Sequence, residues 1–108
     1  MSYEAMSARI RIDMEKIAEF CRRWKVTEFA LFGSVLRDDF RTDSDVDVLV
    51  SFSADAHPSI HDLIQMENDL KEMFQRNVDL VTRLSVEQSE NYIRRKHILS
   101  NLELLYAA

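Results

Sequence analysis

The segment Asp45–Phe52, DVDVLVSF, most limits what this chain can fold into, because it begins by alternating an acid with a valine. A period of two is the pattern of a β-strand, whose successive side chains point to opposite faces. We therefore predict a strand that projects Asp45 and Asp47 from one face and Val46 and Val48 from the other. The two carboxylates would stand about 7 Å apart along that strand, and they repel each other unless a cation lies between them.

The other segments predict helices and strands on both sides of this one. Apolar residues between Ile10 and Trp24 recur at steps of three and four, the stripe of an amphipathic helix. Ser59 and Asp62 have the spacing of a capping box. The predicted elements are a helix over Ile10–Trp24, a strand over Thr27–Phe32, a turn or short helix and then a loop over Ser34–Ser44, the strand Asp45–Phe52, a helix after Ser59 that extends to Phe74, a strand over Asn77–Thr82 and a mostly helical segment over Ser85–Tyr106.

This order of elements predicts one α+β domain over residues 1–108. The chain has 108 residues, of which 46% are hydrophobic, and it contains no internal repeat or Pro/Gly/Ser-rich linker, which suits a single packed core. Three strands on one side and helices on the other give a two-layer architecture, a small sheet with helices packed on one side. Leu104, Leu105 and Tyr106 are expected to be exposed on the last helix, where an interface is a candidate role.

The charge balance excludes one broad class of function. The chain carries 14 Lys and Arg against 19 Asp and Glu, a net charge of −5, so we expect no direct binding to nucleic acid by general phosphate neutralisation. A small site that handles phosphate through bound cations is compatible with this charge. The single cysteine, Cys21, cannot form an internal disulfide, and no long apolar run is present. These features predict a cytoplasmic protein without a membrane span.

A third acid lies inside another apolar strand. Asp79 stands between Val78 and Leu80 in the segment NVDLVT, where an acid rarely serves packing. If its strand pairs beside that of Asp45 and Asp47, three carboxylates converge. Mg²⁺ prefers oxygen ligands and is usually bound by one or two carboxylates together with substrate phosphates, and three acids suit a two-metal site for phosphoryl transfer.

The only glycine of the chain, Gly33, ends the strand before these acids and is followed by Ser34. A strand that ends in Gly-Ser and continues into a helical turn lets backbone N–H groups and the serine hydroxyl approach phosphate oxygens closely. Arg37 and Arg41 follow in the loop and are candidates to clamp a triphosphate by charge-assisted hydrogen bonds. The sequence thus combines a phosphate-binding turn with metal-binding acids.

Gly33-Ser34, ten intervening residues and then Asp45-Val46-Asp47 resemble the signature of the DNA polymerase β-like nucleotidyltransferase superfamily. The segments SDVDVLV and VDLV resemble its minimal nucleotidyltransferase (MNT) branch, whose MntA-type antitoxins pair with HEPN toxins. The resemblance covers roughly residues 27–82. It implies the polymerase β-like fold with a small mixed sheet, two Mg²⁺ ions, and transfer of AMP from ATP to a hydroxyl with release of pyrophosphate. In the antitoxin members, which act as type VII-like antitoxins, the acceptor is a tyrosine of the HEPN partner, and a hetero-oligomer with the toxin is expected.

The resemblance also implies a role for each matched residue. Asp45 and Asp47 would ligate the metals, and Asp79 would be the third ligand and help activate the acceptor hydroxyl. The nucleotide's phosphates would be held by Gly33 and Ser34, with Arg37 as a further nucleotide-binding residue. One departure from the family pattern is Asp38, which stands where relatives commonly have glycine after the arginine.

Other features carry weaker alternatives. The domain is alternatively a non-catalytic module that neutralises a HEPN toxin by covering its active site, with the acids as a relic or an electrostatic lure. His57 and His61 have the spacing of a metal pair, but Pro58 separates them and argues against zinc. The basic run Arg94–Lys96 is expected to be a solvated face or a contact for an acidic partner. Nothing in the sequence fixes the nucleotide base.

Overall fold

The structure, a computed structural model, describes residues 4–7, 10–36 and 45–108. A short 3-10 turn spans Gly33–Leu36. Within these ranges the strands are β1 (Glu4–Ser7), β2 (Ile10–Asp13), β3 (Val26–Phe32), β4 (Val46–Phe52), β5 (Val78–Thr82) and β6 (Glu103–Ala107), and the helices are α1 (Met14–Trp24), α2 (Ile60–Phe74), α3 (Arg83–Glu87) and α4 (Tyr92–Ser100).

A four-stranded mixed sheet in the order β5-β4-β3-β6 forms the centre of the fold. β3 pairs antiparallel with both β4 and β6, whereas β4 and β5 are parallel. Parallel neighbours need a crossover connection, and α2 provides it. β1 and β2 pair antiparallel as a separate two-stranded sheet. This mixed sheet with its helices confirms the predicted α+β class.

Local side-chain bonds fix where the two longer helices begin. Asp13 caps α1, because its side chain accepts from the backbone N–H groups of Glu15 and Lys16 at 3.0 and 3.4 Å. Ser59 and Asp62 form the predicted capping box of α2, with reciprocal bonds of 3.0 and 3.1 Å. Such caps satisfy N–H groups that have no partner inside a helix. α2 therefore begins at Ile60 and extends to Phe74, as the sequence predicts.

The larger core lies between one face of the sheet and helices α1 and α2. The alternation of β4 turns its three valines toward this core, and the described side chains that are buried there are Val46, Val48 and Val50 of β4, Val26, Phe29 and Leu31 of β3, Val78 of β5, Ile12, Ile17, Phe20 and Cys21 in and just before α1, Val35, and Met66 and Leu70 of α2. Cys21 is thus a core residue. Trp24 is partly buried against the same cluster.

The opposite face of the sheet carries a second, smaller cluster. Phe32 and Leu49 are buried there together with Val86 of α3 and Ile98 of α4. Because successive strand residues alternate between faces, these side chains point away from the larger core. The two main helices pack on one side as predicted, and the short helices α3 and α4 contact the other side.

The predicted first helix is wrong at its beginning. The apolar residues at helical spacing begin at Ile10, but Ile10–Asp13 is the strand β2, which pairs with β1. The apolar spacing of this segment fits a helix and a strand equally well over four residues. The cap at Asp13 decides the outcome, because it starts the helix at Met14.

The predicted helical segment over Ser85–Tyr106 is also wrong in part. Two short helices replace it, separated by a break in which Asn91 caps α4 by accepting from the Arg94 N–H at 3.0 Å. The chain then forms β6, which extends the sheet at β3. Leu104 is exposed as predicted, at 54%, but it lies on a strand, and Leu105 and Tyr106 are partly buried against the larger core.

Three smaller predictions from the sequence can be compared with the structure. His57 lies outside α2 and His61 inside it, so the two do not share a helix face. Within the predicted basic run, Arg95 donates to the Ser89 carbonyl at 2.7 Å and lies over the Tyr92 ring. Arg95 is thus held by contacts within the chain. No helix in the described ranges is both long and apolar enough to span a bilayer.

Candidate active site

The two acidic strands pair with each other, which is the condition for their carboxylates to lie close together. β4 and β5 run parallel, and Asp47 lies directly in register with Asp79. Neighbouring strands stand about 4.8 Å apart, so the two side chains project side by side from one face of the sheet. Asp47 is half-buried and Asp79 is exposed. Each of the two strands thus carries a carboxylate at the same position of the sheet.

Asp45 is the residue before β4 and is exposed. The following residue, Val46, donates its N–H to the carbonyl of Asn77 at 2.9 Å. This bond ties the beginning of β4 to the residue before β5. The first residues of both acidic segments are therefore held at the same end of the sheet.

Gly33 brings the backbone of β3 against the carboxylate of Asp47. Phe32, the residue before it, is the register partner of Asp47 across the antiparallel pair. Gly33 has φ +76°, and a Cβ built on it would fall onto Oδ2 of Asp47 and lie 3.1 Å from its Cγ. An L-amino acid with a side chain is disfavoured both by this backbone conformation and by the lack of space. The only glycine of the chain therefore allows the turn and the acid to be in contact.

The remaining predicted phosphate ligands are only partly described. Ser34 lies in the 3-10 turn that begins at Gly33, but its side chain lies outside the described part of the structure. Arg37, Arg41 and Asp38 fall in residues 37–44, also outside the described residues. Their proposed contacts with a triphosphate stay predictions.

Glu67 supports the site and was not singled out from the sequence. Its Oε2 accepts the backbone N–H of Leu80 at 3.2 Å, and its Oε1 lies 3.6 Å from Nζ of Lys71. Leu80 follows Asp79 in β5, an edge strand of the sheet, and an edge strand has backbone groups without strand partners. Glu67 therefore fixes the segment of β5 that carries Asp79. The only signal in the sequence is the Glu67–Lys71 spacing, which indicates no more than a surface pair.

The donor set suits a hard divalent cation held jointly with a nucleotide. Among the residues described, no group of three or more His, Cys, Asp or Glu side chains is arranged to hold a metal ion, so the structure does not assemble a three-acid site. The chain does bring two carboxylates into register beside a turn suited to phosphate. Mg²⁺ is usually bound by one or two carboxylates plus substrate phosphates, and the residues fit that mode. The assignment of Asp45, Asp47 and Asp79 as ligands stays a prediction.

A cavity of about 400 Å³ opens beside Gly33, between the end of β3 and the end of α4. Its lining residues are Phe32, Gly33, Leu36, His97, Ile98, Asn101, Leu102 and Glu103. Another cavity of similar volume lies between α1 and α2 and is lined by residues such as Lys16, Trp24 and Asp69. Of these two cavities, only the first has a lining residue, Gly33, in contact with Asp47.

A mixed sheet that places a glycine turn against a strand acid, with a second acid in register on the next strand, defines a nucleotidyltransferase type of domain. The chain belongs to the nucleotidyltransferase domain family, which it matches over residues 14–101. The match includes the glycine turn, both acidic strands and the helices α1, α2, α3 and α4.

Two relatives indicate the branch of the family to which the chain is similar. Protein adenylyltransferase MntA of Thermococcus cleftensis is 38% identical over 69 residues, which are 64% of this chain and 68% of the relative. A provisionally named protein adenylyltransferase of Methanocaldococcus jannaschii is 33% identical over 64 residues, which are 59% of this chain and 64% of the relative. The match therefore spans about two thirds of each relative's length, and slightly less for the second.

Solved structures agree on the fold. A toxin–antitoxin structure with AMP-PNP aligns with a TM-score of 0.67 and 20% identity, over 90% of this chain and 75% of that chain. A structure of tri-AMPylated Shewanella oneidensis HEPN toxin in complex with MNT antitoxin aligns with a TM-score of 0.59 and 20% identity, over 88% of this chain and 70% of that chain. At these identities the likeness concerns the fold.

Proposed function

We propose that this chain is a Mg²⁺-dependent nucleotidyltransferase that moves AMP from ATP to a protein hydroxyl, a tyrosine of a cognate HEPN toxin, and thereby acts as an antitoxin. One observation carries the proposal: Asp47 lies in register with Asp79, while Gly33 brings the turn after β3 against the Asp47 carboxylate. This arrangement would supply oxygen ligands for a cation and backbone contacts for phosphate at the same end of the sheet. The names of the relatives from Thermococcus and Methanocaldococcus support the transferred group.

The chain's own residues would bind and orient the nucleotide. The backbone of Gly33 and Ser34 would face the phosphates, and Asp45 and Asp47 would supply carboxylate oxygens for two Mg²⁺ ions. Bound Mg²⁺ would neutralise charge on the phosphates and stabilise the charge that develops as the bond to the leaving group breaks. Placing the acids and the turn on paired strands holds them in fixed positions before the substrate arrives, which lowers the barrier to reaction.

The transfer step is an in-line displacement at the α-phosphorus of ATP. The acceptor hydroxyl oxygen forms a bond to that phosphorus, and the bond from the phosphorus to the bridging oxygen of pyrophosphate breaks. Asp79 is exposed beside Asp47 and is the candidate to accept the hydroxyl proton. The products are an AMP-modified hydroxyl and pyrophosphate.

The partner supplies the acceptor in this proposal. The support comes from the sequence resemblance to antitoxins of HEPN toxins and from the fold shared with the Shewanella oneidensis MNT antitoxin, whose structure contains an AMPylated HEPN toxin. The exposure of Asp79 agrees with a second protein that presents its hydroxyl to the site.

A transfer assay with α-labelled ATP, Mg²⁺ and the HEPN protein encoded beside this chain's gene tests the proposal. Label is expected on the partner with the wild-type chain and is expected to be lost with Asp45→Asn/Asp47→Asn, which keeps the side-chain size while removing both charges. Asp55→Asn is a matched control, because Asp55 is an exposed acid that pairs with Lys25 outside the site. Label on the partner with the double variant would reject the role of Asp45 and Asp47. No label with the wild type while a stable complex forms would reject transfer and favour neutralisation by binding alone.

A further inference from the structure

The cavity beside Gly33 lies on the same face of the sheet as the acids. Phe32 forms one of its walls and is the register partner of Asp47. Residues directly opposite each other on antiparallel strands have their Cβ atoms about 5 Å apart on one face. A molecule that contacts Phe32 inside the cavity therefore has the Asp47 carboxylate as its immediate neighbour.

The cavity has the size and the walls of a small-molecule site. Its volume of about 400 Å³ falls in the range of about 300–1,000 Å³ that is typical of ligand pockets. Phe32, Leu36, Ile98 and Leu102 give it apolar walls. Phe32 and Ile98 are buried members of the smaller core cluster, so these two walls are held in place by packing. Flat apolar walls that include an aromatic ring suit a nucleobase, which presents two apolar faces.

The polar rim contains one side chain that is already oriented. Nδ2 of Asn101 donates to the backbone carbonyl of His97 at 2.7 Å, which fixes the plane of the carboxamide. This bond uses one of its two N–H groups, and the side chain keeps an N–H donor and an oxygen acceptor. Such a donor–acceptor pair matches the amino group and adjacent ring nitrogen of adenine, whereas the corresponding guanine edge presents two acceptors.

The neighbours of the cavity indicate which end of a nucleotide would enter it. Gly33 lies at one end of the lining and contacts Asp47, which would hold the phosphates through bound cations. His97 and Ile98 line the cavity from α4. The base is therefore expected toward α4 and the phosphates toward Gly33.

We propose that this cavity binds the base of the nucleoside triphosphate and that Asn101 selects adenine over guanine. The inference rests on the proposed function, because it assigns the base site of the same reaction. Asn101 is a binding residue here, and His97 and Leu102 form the walls around the base. The acceptor side chain of a partner is the competing occupant, and the test below separates the two.

Equilibrium binding in the presence of Mg²⁺ tests this assignment with three probes, ATP, GTP and inorganic tripolyphosphate. The wild type is expected to prefer ATP to GTP by about tenfold or more, as a two-bond base contact gives. Asn101→Ala is expected to bring the two nucleotides within about threefold of each other while tripolyphosphate binds as before. Asn68→Ala is the matched control, since Asn68 is an exposed asparagine of α2 away from the cavity.

A second variant tests the same cavity while keeping the Asn101 side chain, whose bond to His97 holds the end of α4. His97→Trp keeps the backbone carbonyl that accepts from Asn101 and fills the cavity with a larger side chain. This variant is expected to bind ATP about tenfold or more weakly than the wild type, whereas its affinity for tripolyphosphate stays the same. Thermal unfolding of each variant verifies that the domain is intact.

The outcomes distinguish a failure of the base site from a failure of the proposed function. If both variants bind ATP and GTP as the wild type does, the base assignment is overturned and the proposed function is not affected. If ATP binding is unchanged but AMP transfer to the partner falls, the cavity accepts the acceptor side chain, which also overturns it. If the wild type binds neither ATP nor tripolyphosphate with Mg²⁺, the proposed function fails and the base site fails with it.

Discussion

Gly33→Ala is the most informative single change, because it is expected to displace the Asp47 carboxylate while the strand that carries it stays paired. Gly33 has φ +76°, and an added Cβ falls onto Oδ2 of Asp47, 3.1 Å from Cγ and 3.4 Å from Cβ. The Asp47 backbone is fixed by pairing with both β3 and β5. The carboxylate must therefore rotate away while the strand stays in place.

The stability cost has two parts of known size. An L-residue at this backbone conformation costs about 1–2 kcal/mol, and a carboxylate forced off its preferred rotamer costs about 0.5–1.5 kcal/mol. For Gly33→Ala we expect the free energy of unfolding, measured in urea, to decrease by about 2–3 kcal/mol. The same displacement is expected to lower AMP transfer about 100-fold or more, because a shift of about 1 Å at a reacting centre has that effect.

Combining Gly33→Ala with Asp47→Ala gives the control. Without the Asp47 carboxylate the added methyl group has nothing to displace, so in that background the stability cost should shrink to the backbone part of about 1–2 kcal/mol. An equal cost in both backgrounds would refute the close contact. Transfer by Gly33→Ala within about threefold of the wild type would refute the argument that the glycine positions the acid.

Two further predictions concern residues other than Asp45, Asp47 and Asp79. Glu67→Ala removes the acceptor of the Leu80 N–H and should cost about 1 kcal/mol. Hydrogen exchange at Leu80 should accelerate, whereas unchanged exchange, or equal acceleration in the exposed control Glu72→Ala, would contradict the role of Glu67. Burial raises the pKa of the Cys21 thiol from 9.0 to about 12, so above pH 9 ionisation favours the unfolded chain. Between pH 8 and 10 the wild type should lose about 1.4 kcal/mol more than Cys21→Ala by denaturant unfolding, and equal losses would contradict this.

The sequence was sufficient for the centre of the fold because two patterns there agree. The alternation in Asp45–Phe52 predicted β4, and the apolar run around Asp79 predicted β5. The place of β5 beside β4 is a condition that the sequence alone does not settle and that the structure meets. One face of β4 must be buried, so a shift by one residue would place every valine in the wrong environment. The same constraint that orders the core therefore fixes which face carries Asp47.

The contact between Gly33 and Asp47 could not be predicted from the sequence alone. A glycine before a serine indicates a phosphate-binding turn, but the register of β3 with β4 decides which side chain the glycine contacts. That register pairs Phe32 with Asp47 and depends on packing across both strands, to which no single motif corresponds. Glu67 is a similar case, because its bond to Leu80 exists only once α2 lies against β5.

The C-terminal segment shows how local propensity was overridden, with a consequence for the site. Residues 103–107 have an apolar pattern compatible with a helix, but the open edge of β3 offers backbone partners, and pairing there satisfies groups that a helix would leave unpaired on the sheet. α4 must then end at Ser100 so that the chain can enter β6. This bend brings Asn101, Leu102 and Glu103 beside Phe32 and Gly33. A continuous helix over Ser85–Tyr106 would not place these three residues there, so the correction to the fold is also what creates the proposed base site.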